Sequence, residues 1–190
     1  MPVKTFTDNT SLPASDINTY LNNGGLVYIN TLTLSGVTVG AVDNVFTSSY
    51  TSYRLVITSG AASANTALFI QMRSSGTAYT TGNQAYGLLG INNSSGAADN
   101  ANSGTQVGIY VGNVPTTAGR HLCTVDVMNP QLATYTMFNI QTMFSDAGGS
   151  ISRAGGGVIP TTTQYDGFQL NTATATTITT TCRIYGYRQV

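Results

Sequence analysis

His121 is the only histidine in the chain, so any imidazole-centred acid–base chemistry has to use it. A nucleophile–histidine–carboxylate arrangement would draw on Asp126 as the third member. Positions 121 and 126 differ by an odd number, and on a regular strand such residues face opposite sides. No Gly-x-Ser-x-Gly elbow accompanies them. Asp146 and Asp166, the acids best placed for paired-carboxylate chemistry, both lie in or near turns, and turn formation accounts for them. One histidine without clustered acids cannot ligate zinc. Asn92, Asn93, Asp99 and Asn100 offer oxygens to a calcium ion but without EF-hand spacing. Gly155-Gly156-Gly157 follows Arg153 with no Gly-Lys-Ser/Thr behind it, so it reads as a turn and not as a phosphate cradle. The chemistry-bearing residues therefore predict no catalytic site, no metal and no cofactor.

Cys123 and Cys182 each sit in an apolar, strand-like run and read as small buried side chains. A disulfide between them requires neighbouring strands. The aromatic residues carry more information: eleven Tyr, six Phe and no Trp. Tyr53, Tyr110 and Tyr135 lie inside strand-like runs, whereas Tyr50, Tyr79, Tyr86, Tyr165 and Tyr187 lie beside Gly or in loops. Tyr79, Tyr86 and Tyr165, with Asn92 and Asn93, are the residues expected to form loops that adhere to a sugar or protein.

The elements that must carry these residues follow from composition and period. Charged residues make up only 7% of the chain, the seven acids are all Asp, and Lys4 is the only lysine. Soluble helices lean on Glu, Lys and Arg, so this chain is poorly supplied for them, while its many Thr residues fit a pleated sheet. A formal net charge of zero does little to keep copies apart, and the absence of a basic stripe leaves nucleic-acid binding without an electrostatic footing. The amino terminus has no signal-peptide core, and no stretch approaches the ~20 apolar residues of a membrane span. Synthesis in the cytoplasm, with no membrane insertion, is the expectation.

One helix is predicted, from Ser11 to Gly24. Ser11 is its N-cap, Pro13 lies in the first turn, and Ile17, Tyr20 and Leu21 form one apolar stripe. Beyond Leu26 the pattern is strands: Leu26–Ile29, Thr31–Val39, Tyr53–Thr58, Ala67–Arg73, Ala85–Ile91, Gln106–Val111, His121–Met128, Tyr135–Phe144, Asp166–Leu170 and Thr177–Tyr185. Asn92–Gly104 reads as a long polar loop. About eight to ten strands divided by Gly and Ser turns predict an all-β, antiparallel, jelly-roll-like β-sandwich behind a short N-terminal helix or extended arm. The boundary is expected near 25, with an anchoring segment over 1–25 and the sandwich over 26–190.

The segment Phe6-Thr-Asp-Asn-Thr-Ser-Leu-Pro-Ala-Ser-Asp-Ile-Asn-Thr-Tyr-Leu21 resembles the N-terminal segment of tailed-bacteriophage structural proteins. The aromatic run Val45–Ile57 and the closing Thr181-Cys-Arg-Ile-Tyr-Gly-Tyr187 are similar to a phage virion module. The resemblance implies a non-enzymatic virion protein, a short tail fibre or fibre-like adhesion protein, or alternatively a capsid decoration (cement) protein. It also implies a homotrimer, contacts with other virion proteins, and docking to the particle through Phe6, Leu12, Ile17, Tyr20 and Leu21. The chain has no collagen-like, heptad or β-helix shaft, which favours a short fibre or a capsid-surface protein over a full tail fibre.

Overall fold

Strict alternation of apolar and polar residues decides the architecture. In the computed structural model, which describes residues 25–146 and 148–188, Thr136–Asp146 buries Phe138, Ile140 and Phe144 and turns Met137, Asn139, Gln141 and Met143 outward. Strands β1 (Leu26–Val37), β13 (Ile178–Tyr187), β3 (Ser52–Ala62), β9 (His121–Met128), β10 (Thr136–Asp146), β11 (Gly149–Ile159), β6 (Gln84–Asn92) and β7 (Ala98–Gln106) form one eight-stranded sheet in that order. A second sheet runs β2 (Val39–Val42), β12 (Gly167–Thr172), β4 (Thr66–Ser74) and β5 (Thr77–Ala78), with β8 (Ile109–Val114) also paired to β4. All pairings are antiparallel. The inner faces enclose one core: Leu55, Ile57, Val125 and Ile140 from the larger sheet meet Leu68, Ile70, Phe168 and Leu170 from the smaller. The protein is an all-β sandwich of two antiparallel sheets.

Several strand expectations need correction. The run expected as one strand over Thr31–Val39 divides at Thr38, and the chain passes there from the first sheet to the second. The expected polar loop Asn92–Gly104 is a short turn followed by β7, an edge strand paired with β6. Ala, Asn and Ser alternate on β7 without any hydrophobic contrast, which hid it from a pattern based on burial. Besides its backbone pairing with β6, β7 is tied by Arg153, which points inward from β11 with a side chain only 9% exposed. Arg153 donates from Nε to Asp99 of β7 and from Nη1 to Tyr110 Oη at 2.7 Å, and lies over the Phe144 ring at 5.3 Å.

Gly155-Gly156-Gly157 is not a turn but the middle of β11, hydrogen-bonded on both sides. A Cβ built on Gly155 would collide with the Gly87 carbonyl oxygen, and one on Gly90 with the Ser152 carbonyl oxygen. The glycines permit close approach of β6 and β11. Cys123 and Cys182 are buried free thiols on opposite sides of β3, where both pair with Ile57. Two strand spacings, about 9.6 Å, separate them, too far for a disulfide. The predicted helix Ser11–Gly24 lies outside the described residues.

Gly155→Ala is expected to destabilise the protein by about 1–3 kcal/mol, because the added methyl meets backbone that cannot swing away. Gly87→Ala, whose Cβ meets nothing within 4 Å, is the control and should stay within about 0.5 kcal/mol. Equal melting temperatures for the two variants would refute the close-approach account.

Candidate interaction surface

The outer face of the eight-stranded sheet can be read row by row from the register. One row runs Leu89, Ala154, Gln141, Thr124, Val56, Arg183 and Thr31, from β6 across to β1. The row beside it runs Ile91, Ser152, Met143, Leu122, Thr58, Thr181 and Thr33. Large apolar residues on β6 and on β9–β10 thus stand on either side of the small residues of β11. The result is a groove of about 460 Å³ with Ser152 and Ala154 as its floor and Leu89, Ile91, Leu122 and Met143 as its walls. Leu89 is 75% exposed and Met143 51%, although both lie in regular strands. Asn93, at the tip of the β6–β7 hairpin, donates from Nδ2 to Ser152 Oγ at 2.8 Å at the edge of this groove.

A different chemistry occupies the β3–β13–β1 end of the same face. Arg54 grips Asp126 with two hydrogen bonds, Nε to Oδ1 at 2.7 Å and Nη2 to Oδ2 at 2.9 Å. Tyr187 donates to Asp126 Oδ1 at 2.6 Å, and the Arg54 guanidinium lies 5.4 Å from the Tyr187 ring centre. Tyr28 and Tyr185 meet edge to face at 5.9 Å, with Tyr28 exposed. Burial alone would raise the Asp126 carboxyl, but the hydrogen bonds from Arg54 and Tyr187 outweigh it and hold the group below its ordinary range. Desolvation, with the Asp126 charge added, pushes the Tyr187 phenol up to about 12. The end is aromatic and rich in hydrogen-bonding groups; its Arg54–Asp126 pair is neutralised, and Arg183 of β13 is exposed on the same face.

His121 has a partner that the sequence reading missed. Ser59 Oγ lies 2.8 Å from its Nδ1, and Thr180 donates to Ser59 Oγ at 3.0 Å. Nε2 lies 3.2 Å from the Val111 carbonyl oxygen, which can only accept, so the proton sits on Nε2 and Ser59 donates to Nδ1. A Ser–His hydrogen bond of this length also occurs in nucleophilic sites. Here, however, a carbonyl stands where a triad has its carboxylate, and all three side chains are buried between the sheets. Asp126 lies on the opposite face of β9, as the parity of the sequence requires. The spacing of Ser59 and His121 along the chain gave no hint of the contact, since it depends on the register of β3 against β9.

The five residues expected to form an adhesive loop surface do not converge. Tyr165 requires correction: it is fully buried, with its hydroxyl 3.1 Å from Thr161 Oγ1 and its ring against Tyr79 at 5.8 Å. Tyr79 is half-buried and donates to Asn83 Oδ1 at 2.9 Å. Tyr86 faces inward and stacks on Tyr110 at 5.7 Å. Asn92 closes the β6–β7 turn by accepting from the Ser94 and Ser95 amides, so Asn93 alone of the five is exposed. Phe6, Leu12, Ile17, Tyr20 and Leu21 lie outside the described residues. Asp146 accepts from the Gly148 amide and Asp166 from the Ser75 amide, both in turns. Among the described residues no group of three His, Cys, Asp or Glu side chains is placed to hold a metal. The groove did carry a signal: Met143 has the outward parity of a strand whose other parity is already the core.

No protein family model matches the chain, and no curated protein matches it. Solved structures similar to it include peanut lectin with a nine-residue peptide, 10% identical over 87% of this chain and 90% of that chain, with a TM-score of 0.17. Another is the Lotus tetragonolobus seed lectin, 8% identical over 83% of this chain and 93% of that chain, with a TM-score of 0.16. Likenesses of this size assign no ligand.

Burial lowers the His121 imidazole to about 4, against a partial opposing effect of the Val111 carbonyl. The unfolded chain, with an ordinary value of about 6.5, therefore takes up the proton first. The contribution is complete above about pH 6.5 and is lost as pH falls toward about 4, by about 1.4 kcal/mol per unit and about 3 kcal/mol in all. Asp126 adds a further loss only at lower pH, below its ordinary carboxyl range. Urea unfolding at stepped pH should show this slope in the wild type and a flat response across the window in His121→Gln. The same slope in both proteins would rule out His121 as its source.

Proposed function

We propose that this chain is a non-enzymatic structural protein of a bacteriophage particle, most specifically a short tail-fibre or fibre-like adhesion protein. In this reading residues 1–25 attach it to the particle, and the sandwich, jelly-roll-like in its two-sheet design, projects from it. The observation that carries the reading is the outer face of the larger sheet. It is a broad, rigid surface of Tyr, Thr, Asn, Leu and Met, and its Arg54–Asp126 pair is internally neutralised. Such a surface suits contact, by stacking, apolar burial and hydrogen bonding, with a host glycan or protein.

Further support comes from how the reactive groups are spent. His121 and Ser59 are buried with one another, and Asp43, Asp99 and Asp126 are each paired with an arginine. The aromatic run that resembles a phage module builds the core, with Phe46 and Tyr53 in edge-to-face contact at 4.7 Å. Its closing strand places Tyr185 and Tyr187 on the outer face beside Arg54. In this reading the sandwich folds without the first 25 residues; among the described residues the buried hydrophobic cluster runs from Leu32 to Ile184.

Removal of residues 1–25 is therefore expected to leave the melting temperature nearly unchanged and to abolish incorporation into particles, measured by immunoblotting of purified virions. Incorporation at wild-type level would overturn the anchoring role. Antibody labelling of intact particles should mark the tail. Labelling over the head lattice would instead make the protein a capsid decoration protein, and absence from purified particles would remove the virion reading altogether.

A further inference from the structure

We infer that the groove above β11 is a homodimer interface, in which the Leu89–Ile91 ridge of each copy fills the groove of the other. This goes beyond the virion reading and does not rest on it.

The first ground is shape. Ridge and groove lie side by side on one face: Leu89 and Ile91 project from β6, and the depression over Ser152 and Ala154 lies on the adjacent strand. A two-fold interface needs a patch that complements itself, so that one residue contacts a second and the second contacts the first across the axis. A ridge one strand away from a matching groove meets that condition when two faces are laid together at the usual sheet-packing distance of about 10 Å. Met143 on the far wall is unbranched and can adjust to the incoming ridge.

The second ground is charge. By register the outward positions of β6, β11, β10 and β9 carry one ionisable side chain, Asp126, and Arg54 already neutralises it. A partner of strong charge would find nothing to pair with there. A copy of this chain, with formal net charge zero and the same neutral face, brings no unpaired charge into the contact.

The third ground is area. Four strands about 4.8 Å apart, followed over the length from Ser150 to Val158 at about 3.4 Å per residue, give a footprint of about 19 by 30 Å. That is about 570 Å² per partner, below the about 800 Å² of a standard interface and within the range of weaker specific ones, so a concentration-dependent dimer is expected. A solvated sheet face ordinarily keeps its large apolar residues scattered, whereas here Leu89 and Ile91 on one side and Leu122 and Met143 on the other flank a single groove. The resemblance to phage proteins implies a trimer; the self-complementary patch implies two copies.

Sedimentation equilibrium of the full chain, across a concentration series, tests the inference. The wild type is expected to be a dimer. Leu89→Lys and Ala154→Arg should each weaken dimerisation by at least about tenfold, one by burying an unpaired charge and the other by filling the groove. Thr33→Lys, exposed on the same face at β1, should leave it unchanged. Thermal melts of the monomeric variants check that each remains folded, as expected for substitutions at exposed positions. A wild type that stays monomeric, a trimer, or a dimer indifferent to both groove substitutions would overturn the proposal. None of these results depends on whether the protein is found on particles.

Discussion

The structure depends on one constraint: two antiparallel sheets must keep their inner faces dry against each other. Leu55, Ile57, Val125 and Ile140 on one side and Leu68, Ile70, Phe168 and Leu170 on the other are fully buried. Each contributes about 1.5–3 kcal/mol through removal from water. Because every strand alternates, burying one face dictates what the other face presents. In most proteins that outer face is filled by Lys, Glu and Arg. This chain has few such residues, so Thr, Ser, Asn, Met and Leu take their places and the outer face is largely uncharged.

The scarce charges are spent on joining strands. Arg54–Asp126 links β3 to β9, and Arg153–Asp99 links β11 to β7 across β6. Arg73 on β4 joins Asp43, just beyond β2, and donates to Gln169 of β12 at 2.8 Å. Their energetic weights differ. An exposed pair is worth about 0.2–1 kcal/mol, whereas Arg153 is buried among aromatic rings, and loss of its carboxylate partner would strand a charge inside the protein. Polar groups follow the same rule within the core. The Thr180–Ser59–His121 relay ends on the Val111 carbonyl and so ties β13, β3, β9 and β8 together across both sheets.

Strands with contrast between their faces were legible in the sequence. Leu68, Ile70 and Met72, or Phe138, Ile140 and Phe144, announce one buried side by period alone, and β4 and β10 lie where they were expected. Where contrast fails, legibility fails. The polar ribbon of β7 has no apolar face to display, and its anchor, Arg153, is distant in sequence. Gly155–Gly157 carries the residues of a turn because the neighbouring backbone leaves no room for side chains. The site was less legible than the fold. Tyr165 sits in a polar loop stretch just before Asp166-Gly167, yet those two residues lead into β12 and the ring lies in the core. The Ser59–His121 pair is a fact of register, which no local pattern encodes.

Strand β11 shows how the packing constraint and the surface feature arise from the same residues. Its inward parity includes Ile151 and Ile159 and, between them, Gly155, which admits the backbone of β6 at close range. Its outward parity holds Ser152, Ala154 and Gly156, all small. The inward glycine is required by backbone geometry. No such geometry demands small residues at 152 and 154, because the space above them is the open groove. A solvated face would tolerate Thr, Lys or Glu at those positions, and strand propensity would favour a β-branched residue over Ala or Ser. Small residues there cost the strand some intrinsic stability; Ser152 returns one hydrogen bond, from Asn93, whereas Ala154 returns none. A surface that must receive another side chain accounts for them, and the adjacent Leu89 is of the size and exposure to be that side chain.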